Sequence, residues 1–149
     1  MEISHILVPT DFSPFSDLAL EHAAFLAQKF EAKITVLHVL TLAEVNALTF
    51  QPGNPWENVM LSIQNNMREE FEKNAGNYSI AEEPVLEVAV GEPAEEIVKF
   101  AEENGANLIV MGTHGRTGLA SIFLGSVTIG VIKKTYLPVM VVKCAESLK

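Results

Sequence analysis

Residues 34–40 read Ile34-Thr35-Val36-Leu37-His38-Val39-Leu40, a run that is apolar at almost every position. A strand with one face in water alternates apolar and polar residues, whereas a strand covered on both faces is apolar throughout. The run is also short, which is typical of a strand and not of a buried helix. It therefore predicts a central strand of a parallel sheet.

Other apolar runs predict four further strands, at residues 6–8, 85–90, 108–111 and 137–142. Amphipathic stretches separate them, and this alternation is typical of βαβ units. Because parallel neighbours are joined by right-handed crossovers, we expect an α/β fold: a doubly wound, Rossmann-like, five-stranded parallel sheet with helices on both faces. Residues 1–149 are predicted to form one domain.

Four helices are predicted between these strands. The first has Ser13 as N-cap and Pro14 at its first position. Its predicted inward stripe is Phe15, Leu18, Ala19, His22, Ala23, Leu26 and Phe30. The others begin near Trp56, Pro93 and Ser126, and Gly105 is the predicted C-terminal cap of the third. Residues 42–56 predict a loop or a partly helical insertion, because two prolines and a glycine interrupt the pattern.

The charge balance excludes some classes of partner. The chain has 149 residues, with 10 Lys and Arg against 19 Asp and Glu, a net charge of −9. Contacts to phosphates dominate nucleic-acid affinity, so we expect no nucleic-acid partner, and the same sign disfavours anionic lipid. No apolar run approaches the roughly 18 residues of a membrane helix, and residues 1–4 lack a basic signal-peptide region. Cys144 is the single cysteine. We therefore expect a cytoplasmic protein with no membrane partner.

The end of the fourth predicted strand opens a glycine-rich stretch, Gly112-Thr113-His114-Gly115-Arg116-Thr117-Gly118-Leu119-Ala120-Ser121-Ile122-Phe123-Leu124-Gly125-Ser126-Val127-Thr128. Glycines let the backbone turn tightly and approach a ligand closely. Gly125 and Ser126 then begin a helix, whose first amides lack internal partners and whose dipole favours an anion. The pattern predicts a phosphate cradle. The alternative is a flexible loop with an ordinary Ser N-cap.

Two familiar phosphate motifs do not fit. A Walker A loop needs a lysine between glycine and hydroxyl, and Gly125-Ser126 has none. A dinucleotide fingerprint needs GxGxxG after the first strand, whereas here Gly112, Gly115 and Gly118 follow the fourth. The spacing therefore disfavours NAD.

The chain resembles the ATP-binding branch of the universal stress protein family, which is marked by G-x2-G-x9-G-S/T. Gly112, Gly115, Gly125 and Ser126 match that motif without a gap. The resemblance extends over nearly the whole chain, through Ile6-Leu7-Val8-Pro9-Thr10-Asp11-Phe12-Ser13, Leu37-His38-Val39, Gly91-Glu92-Pro93, Leu108-Ile109-Val110-Met111-Gly112 and Pro138-Val139-Met140-Val141-Val142. Only residues 42–60 carry none of it.

This resemblance implies a site for an adenine nucleotide (ATP, ADP or AMP), with Mg²⁺ or Mn²⁺ optional on the phosphates. Its adenosine end would be held by Pro9, Thr10, Asp11 and Val39. The ribose and phosphates would be wrapped by Gly112, Thr113, His114, Gly115, Arg116, Thr117 and Gly118, and the phosphate chain would be closed by Gly125, Ser126 and Val127. Met111 is also assigned to the nucleotide site. The family also implies a homodimer, built through the last strand.

Several of these residues have plainer interpretations. Asp11 is either a turn-forming carboxylate or a ligand to adenosine or to a metal-bound water, and Arg116 is either a phosphate donor or an exposed loop residue. His114 is predicted to line the ligand without acting as a base. His38 is predicted to be a satisfied core or strand-end histidine, and His22 is predicted to pack inward.

The remaining features give weaker signals. The acidic pairs, Glu69-Glu70, Glu82-Glu83, Glu95-Glu96 and Glu102-Glu103, are predicted to be solvated faces or loops. The last strand would be an exposed apolar edge in a monomer.

Three functions fit a domain of this predicted fold. The favoured one is a stress-response regulator that binds ATP. A slow ATPase or nucleotide-dependent phosphotransferase is the alternative, weakened because only Asp11 or His114 could serve as a base. A receiver-like phosphorylated domain is disfavoured, because only Glu92 follows the third strand.

Overall fold

Five parallel strands form one sheet in the computed structural model, which describes residues 1–50, 52–53, 55–114 and 124–143. They are β1 (His5–Pro9), β2 (Lys33–Leu40), β3 (Val85–Val90), β4 (Leu108–Gly112) and β5 (Val139–Val142). Their order across the sheet is β3-β2-β1-β4-β5, and all four pairings are parallel. The predicted α/β fold is confirmed, although β5 begins two residues later than predicted.

The described residues contain five helices, one more than predicted: α1 (Pro14–Phe30), α2 (Leu42–Thr49), α3 (Trp56–Ala75), α4 (Pro93–Glu103) and α5 (Ser126–Lys134). The additional helix, α2, occupies the segment predicted as a loop or partly helical insertion. Thr41 and Glu44 cap each other's backbone amides at its start, and this T-x-x-E pattern is a sequence signal for a helix. No residue of α2 is buried.

Two apolar cores cover the two faces of the sheet, because successive side chains of a strand point to opposite faces. In β1, Ile6 and Val8 face the first core, and Leu7 faces the second. The first core is completed by side chains of α1 and α3, including Ala19, Leu20, Ala23, Ile63 and Met67. The second is completed by side chains of α4 and α5, including Ala94, Ile97, Val98, Ala101 and Val131.

Helix α1 begins as predicted, with the Ser16 amide donating to Ser13 Oγ at 3.3 Å and with Pro14 in the first turn. The side chains of α1 that face inward differ in part from the predicted set. His22 is exposed, with Nδ1 2.9 Å from the Leu18 carbonyl oxygen, and Phe30 is exposed as well. The prediction that His22 packs inward was wrong. Ala23 is buried as predicted, and the unpredicted Ala24 and Ala27 are buried beside it, so that small residues let the helix approach the sheet closely.

The chain reverses direction across the sheet at β1. From β1 it runs outward through β2 to β3, then returns to place β4 on the other side of β1, with β5 beyond it. Ligand sites in such sheets lie beyond the carboxyl ends of the strands, at this reversal. The residues that follow Pro9 and Gly112 therefore lie where a ligand is expected to bind.

Candidate functional site

A cavity of about 270 Å³ opens at the carboxyl ends of β1, β2 and β4. It brings together most of the residues predicted to hold a nucleotide: Pro9, Thr10, Asp11, Val39, Met111, Gly112, His114, Gly125, Ser126 and Val127. Thr113 is buried and is not part of the cavity wall. The predicted residues Gly115, Arg116, Thr117 and Gly118, together with Cys144, lie outside the described residues.

Sequence reasoning missed six residues of the wall: Ser16, Leu37, His38, Pro93, Ile97 and Thr128. Leu37 and His38 directly precede the predicted Val39 in β2. Ser16 and Thr128 lie in the first turns of α1 and α5. A search for polar residues in the first helical turn after each strand would have found both.

Hydrogen bonds from separate elements fix the turn after β1. The Thr10 amide donates to the Leu37 carbonyl oxygen at 2.9 Å, and His38 Nδ1 lies 2.8 Å from the Thr10 carbonyl oxygen. The Phe12 amide donates to Thr10 Oγ1 at 3.0 Å, and Phe12 itself has a left-handed backbone with φ of 64°. A bulky residue rarely adopts this conformation. The turn is therefore held in one shape by the strand beside it.

Asp11 follows Thr10 and lines the cavity. Its Oδ1 accepts a hydrogen bond from the Ser13 amide at 3.0 Å, which makes it a turn-forming residue. A carboxylate has two oxygens and about four acceptor positions. The structural interaction therefore leaves Asp11 with acceptor capacity for a ligand, and the two sequence interpretations are compatible.

Glu70 of α3 lies beneath this turn and is 8% exposed. Its Oε2 accepts a hydrogen bond from Thr10 Oγ1 at 2.9 Å, and Ser16 Oγ lies 3.5 Å from the same atom. The prediction that the Glu69-Glu70 pair is solvated was wrong for Glu70. The sequence held one signal for its burial: residue 70 is three residues after Met67 of the apolar stripe and shares its helix face.

Burial is the main cause that raises the pKa of Glu70 from its ordinary 4.5 to about 8. The hydrogen bond from Thr10 lowers that pKa, and the carboxylates of Asp17 and Asp11 raise it. Glu70 Oε1 is buried with no hydrogen-bond partner among the described residues. A neutral carboxyl group is consistent with this environment, because a proton lowers the cost of its burial.

Two hydrogen bonds tie the start of α5 to the end of β4. The Gly125 amide donates to the Thr113 carbonyl oxygen at 2.7 Å, and Thr128 Oγ1 donates to the Gly112 carbonyl oxygen at 2.9 Å. They join the two ends of the glycine-rich stretch. The start of α5 is thereby fixed at the cavity.

The N-cap of α5 is Gly125, which makes no side-chain capping bond. Ser126 occupies the first helical position, so the alternative interpretation of Ser126 as an ordinary N-cap was wrong. The first amides of a helix have no partner within it, and the helix dipole favours an anion beside them. These amides and the Ser126 hydroxyl can donate hydrogen bonds to an anionic group.

Gly112 has a packing role that the sequence did not reveal. A Cβ at this position would lie 2.8 Å from the Phe15 carbonyl oxygen. Helix α1 therefore passes too close to the end of β4 for any larger residue. The glycine allows the turn after β1 and the end of β4 to share one cavity.

His114 contributes a polar atom at the cavity. Its Nδ1 lies 2.9 Å from Thr113 Oγ1, and its ring centroid lies 5.4 Å from that of Phe15. The Nε2 atom is buried without a hydrogen-bond partner among the described residues. It can therefore donate to, or accept from, a bound ligand, depending on its tautomer.

Two observations on the described part of the chain concern other kinds of site. In it, no three His, Cys, Asp or Glu residues gather closely enough to hold a metal ion. Within the same residues, no helix combines the length and apolar character needed to cross a membrane.

Known proteins resemble this chain over nearly its whole length. The sequence model of the Universal stress protein family matches residues 2–143. Universal stress protein MJ0577 of Methanocaldococcus jannaschii is 38% identical over 158 residues, which cover 95% of this chain and 96% of the relative.

Solved structures extend the comparison. The structure of MJ0577 aligns with a TM-score of 0.77 at 35% identity, and the alignment covers 98% of this chain and 99% of that one. A universal stress protein from Archaeoglobus fulgidus, solved in complex with dAMP, aligns with a TM-score of 0.59 at 26% identity, covering 95% of this chain and 98% of its own.

Proposed function

The chain belongs to the universal stress protein family, and we propose that it binds ATP, or its products ADP and AMP, at the cavity between β1 and β4. One observation carries the proposal: the turn after β1 and the amino end of α5 border the same cavity. This arrangement offers polar contacts to a nucleoside on one side and amides to phosphates on the other. The dAMP complex of the Archaeoglobus fulgidus relative supports an adenine nucleotide as the ligand class.

The adenosine end would be held by Pro9, Thr10, Asp11 and Val39. Asp11 supplies carboxylate oxygens that can accept from ribose hydroxyls or from the adenine amino group. Val39 is almost fully buried, so it would act through its backbone and through apolar contact with the base. Met111, at the end of β4, would add a further apolar surface.

The phosphates would lie at the amino end of α5. Gly125, Ser126 and Val127 present backbone amides and one hydroxyl there, and backbone dipoles can hold an anion in a protein of net charge −9. The stretch from Gly112 to Gly118 would wrap the ribose and phosphates. Arg116 is proposed as a phosphate donor.

Mg²⁺ or Mn²⁺ would bind through the phosphates. The only carboxylate among the described wall residues is Asp11, which fits a contact with a metal-bound water better than it fits a complete ligand set. A bound cation would neutralise part of the phosphate charge. The protein's own part is to position the phosphates with amides.

Isothermal titration of the purified protein with ATP and Mg²⁺ tests the proposal. We expect saturable binding in the micromolar range, with markedly weaker binding in Gly115→Val and Gly125→Val. Absence of both heat and thermal stabilisation with ATP, ADP and AMP would contradict it. Nucleotide that co-purifies with the protein would identify the form bound in the cell.

We further propose that the protein acts as a nucleotide-dependent regulator in the cytoplasm, with neither nucleic acid nor membrane as partner. The second candidate is a slow ATPase or phosphotransferase, since Asp11 and His114 line the same cavity. Single-turnover hydrolysis distinguishes them. A rate equal to that of Gly115→Val would exclude catalysis at this site.

A homodimer through the last strand is also proposed. β5 is an edge strand of the sheet, and its first three residues, from Val139 to Val141, are only partly buried. An apolar edge strand exposes unpaired backbone groups as well as side chains. A second copy of the chain would cover both.

A further inference from the structure

Helix α3 reaches the cavity's wall only indirectly. None of its residues lines the cavity, but Glu70 contacts two residues that do. Thr10 Oγ1 lies 2.9 Å from Glu70 Oε2, and Ser16 Oγ lies 3.5 Å from it. Ser16 in turn donates to the Ser13 carbonyl oxygen at 3.0 Å. Glu70 is therefore placed behind the turn that would face the nucleoside.

A buried acidic side chain is costly unless it is paired or neutral. The charged groups around Glu70 are mostly of its own sign: Asp11 from the turn after β1 and Asp17 from α1. Lys73 Nζ of α3 lies 3.6 Å from Asp17 Oδ2 and partly neutralises the charge of Asp17. A carboxyl in such surroundings costs stability, and an apolar side chain of similar volume in its place would not carry that cost.

We propose that Glu70 is a positioning residue of the nucleotide site: through the Thr10 hydroxyl it holds the turn from Thr10 to Ser13 in the shape that presents Asp11 to the nucleoside. The inference rests on the proposed function. Oε2 accepts the Thr10 hydroxyl hydrogen, which leaves the oxygen of Thr10 to accept from the Phe12 amide at 3.0 Å. That chain of two hydrogen bonds fixes the left-handed backbone of Phe12.

The raised pKa of Glu70 fits this role. A neutral carboxyl keeps Oε2 as an acceptor for Thr10 and lowers the cost of burying Oε1, which has no hydrogen-bond partner among the described residues. Ionisation above a pKa of about 8 would add a third negative charge beside Asp11 and Asp17. The turn would then be repelled from α3, and an anionic ligand would be disfavoured as well.

The first test needs no nucleotide. Amide hydrogen exchange at Phe12 is compared in the wild type, Glu70→Gln and Glu70→Leu, with Glu69→Gln as the matched control because Glu69 is exposed on the same helix. We expect about tenfold faster exchange in Glu70→Leu, the effect of one lost hydrogen bond. Glutamine keeps an acceptor for Thr10, so it should restore protection. Equal protection in Glu70→Leu and the wild type would overturn the positioning role.

The second test measures the affinity for ATP of the same proteins. We expect Kd to rise about tenfold in Glu70→Leu and to stay near the wild-type value in Glu70→Gln. In a Thr10→Val background, which lacks the shared hydroxyl, Glu70→Leu should cause no further loss. Additive losses in the double variant would contradict the inference, because the two side chains would then act independently.

A pH profile separates positioning from simple structural support. Between pH 7.5 and 9 the wild-type affinity for ATP should fall, whereas that of Glu70→Gln should not. Parallel profiles would overturn the inference. A wild type that binds no nucleotide but shows Glu70-dependent protection of Phe12 would refute the proposed function and leave α3 as a support of the turn alone.

Discussion

Glu70 Oε2 and Thr10 Oγ1 lie 2.9 Å apart, although 60 residues separate them in the chain. The contact joins the middle of α3 to the end of β1, so the packing of a long helix sets the geometry of one wall of the cavity. Burial of the carboxyl makes this contact depend on pH. The dependence is measurable in the absence of any ligand.

We predict that Glu70 makes the protein less stable as the pH rises. The pKa of this carboxyl is about 8 in the folded protein and near 4.5 when unfolded. Below pH 4.5 the carboxyl is protonated in both the folded and the unfolded protein, and its contribution to the free energy of unfolding is at its most favourable. Between 4.5 and 8 the unfolded state releases its proton first, so the free energy of unfolding falls. Urea denaturation at pH 5.5, 7 and 8.5 measures this fall in the free energy of unfolding.

The matched variants isolate the effect of Glu70. Glu70→Gln cannot ionise, so its free energy of unfolding should exceed that of the wild type by an amount that grows from pH 5.5 to pH 8.5. Glu69→Gln should follow the wild-type profile. An unchanged difference between Glu70→Gln and the wild type across this range would show that Glu70 is ionised in the folded protein throughout.

We predict that Ser126→Ala weakens ATP binding without affecting stability. Ser126 stands at the first position of α5, directly after the N-cap Gly125. Loss of a hydrogen bond to a charged phosphate should raise Kd by roughly tenfold or more. An N-cap serine replaced by alanine would instead cost about 1 kcal/mol of stability. Titration calorimetry and urea denaturation, performed together, separate the two roles.

Thr128→Ala is the useful comparison for that variant. Its hydroxyl donates to the buried Gly112 carbonyl oxygen at 2.9 Å, so its loss should cost about 1–3 kcal/mol of stability and weaken binding indirectly. Destabilisation by Ser126→Ala of the same size would refute the assignment of its hydroxyl to the ligand.

The packing of α4 against α5 gives a prediction about stability alone. A Cβ at Gly130 would lie 2.7 Å from the Ala94 Cβ. In an exposed helix Gly→Ala stabilises by about 1 kcal/mol, but here overpacking should reverse the sign, with a net loss of about 1–2 kcal/mol. Adding Ala94→Gly removes the clash, so the double variant should be more stable than the sum of the single changes predicts. Simple additivity in urea denaturation would contradict the close approach.

The sheet was predictable because its signals are local and strong. Residues 34–40 are apolar at almost every position, as both cores require. The N-cap Ser13 begins α1, and Gly105, with φ of 72°, directly follows Asn104, the C-cap of α4. The position of His22 was less predictable. The apolar stripe of α1 is broad, and small alanines let two adjacent rows face the sheet. Periodicity alone does not choose the centre of such a stripe.

The site was predictable only where strand ends determine it. Residues after β1 and β4 lie together because parallel strands end at the same edge of the sheet. Glu70 belongs to a helix that passes behind that edge, and its acidic neighbour made it resemble a solvated pair. Gly112 differs from Glu70 because it was predicted to belong to the site. Its lack of a side chain was interpreted as allowing close approach of a ligand, whereas the structure shows that it allows close packing against Phe15. Both depend on contacts between distant parts of the chain.

The homodimer gives the last prediction. If β5 pairs with a second copy, Val141→Lys places a charge on the edge strand and should convert the dimer to a monomer in light scattering at micromolar concentration. The matched control is Val85→Lys on β3, the other edge of the same sheet, where Val85 is 43% exposed. It should leave the dimer intact. A monomeric wild type would refute the dimer, and dissociation by Val85→Lys alone would transfer the interface to β3. The ATP affinity of the Val141→Lys monomer then shows whether the cavity, whose described wall residues come from a single chain, needs a partner to bind its ligand.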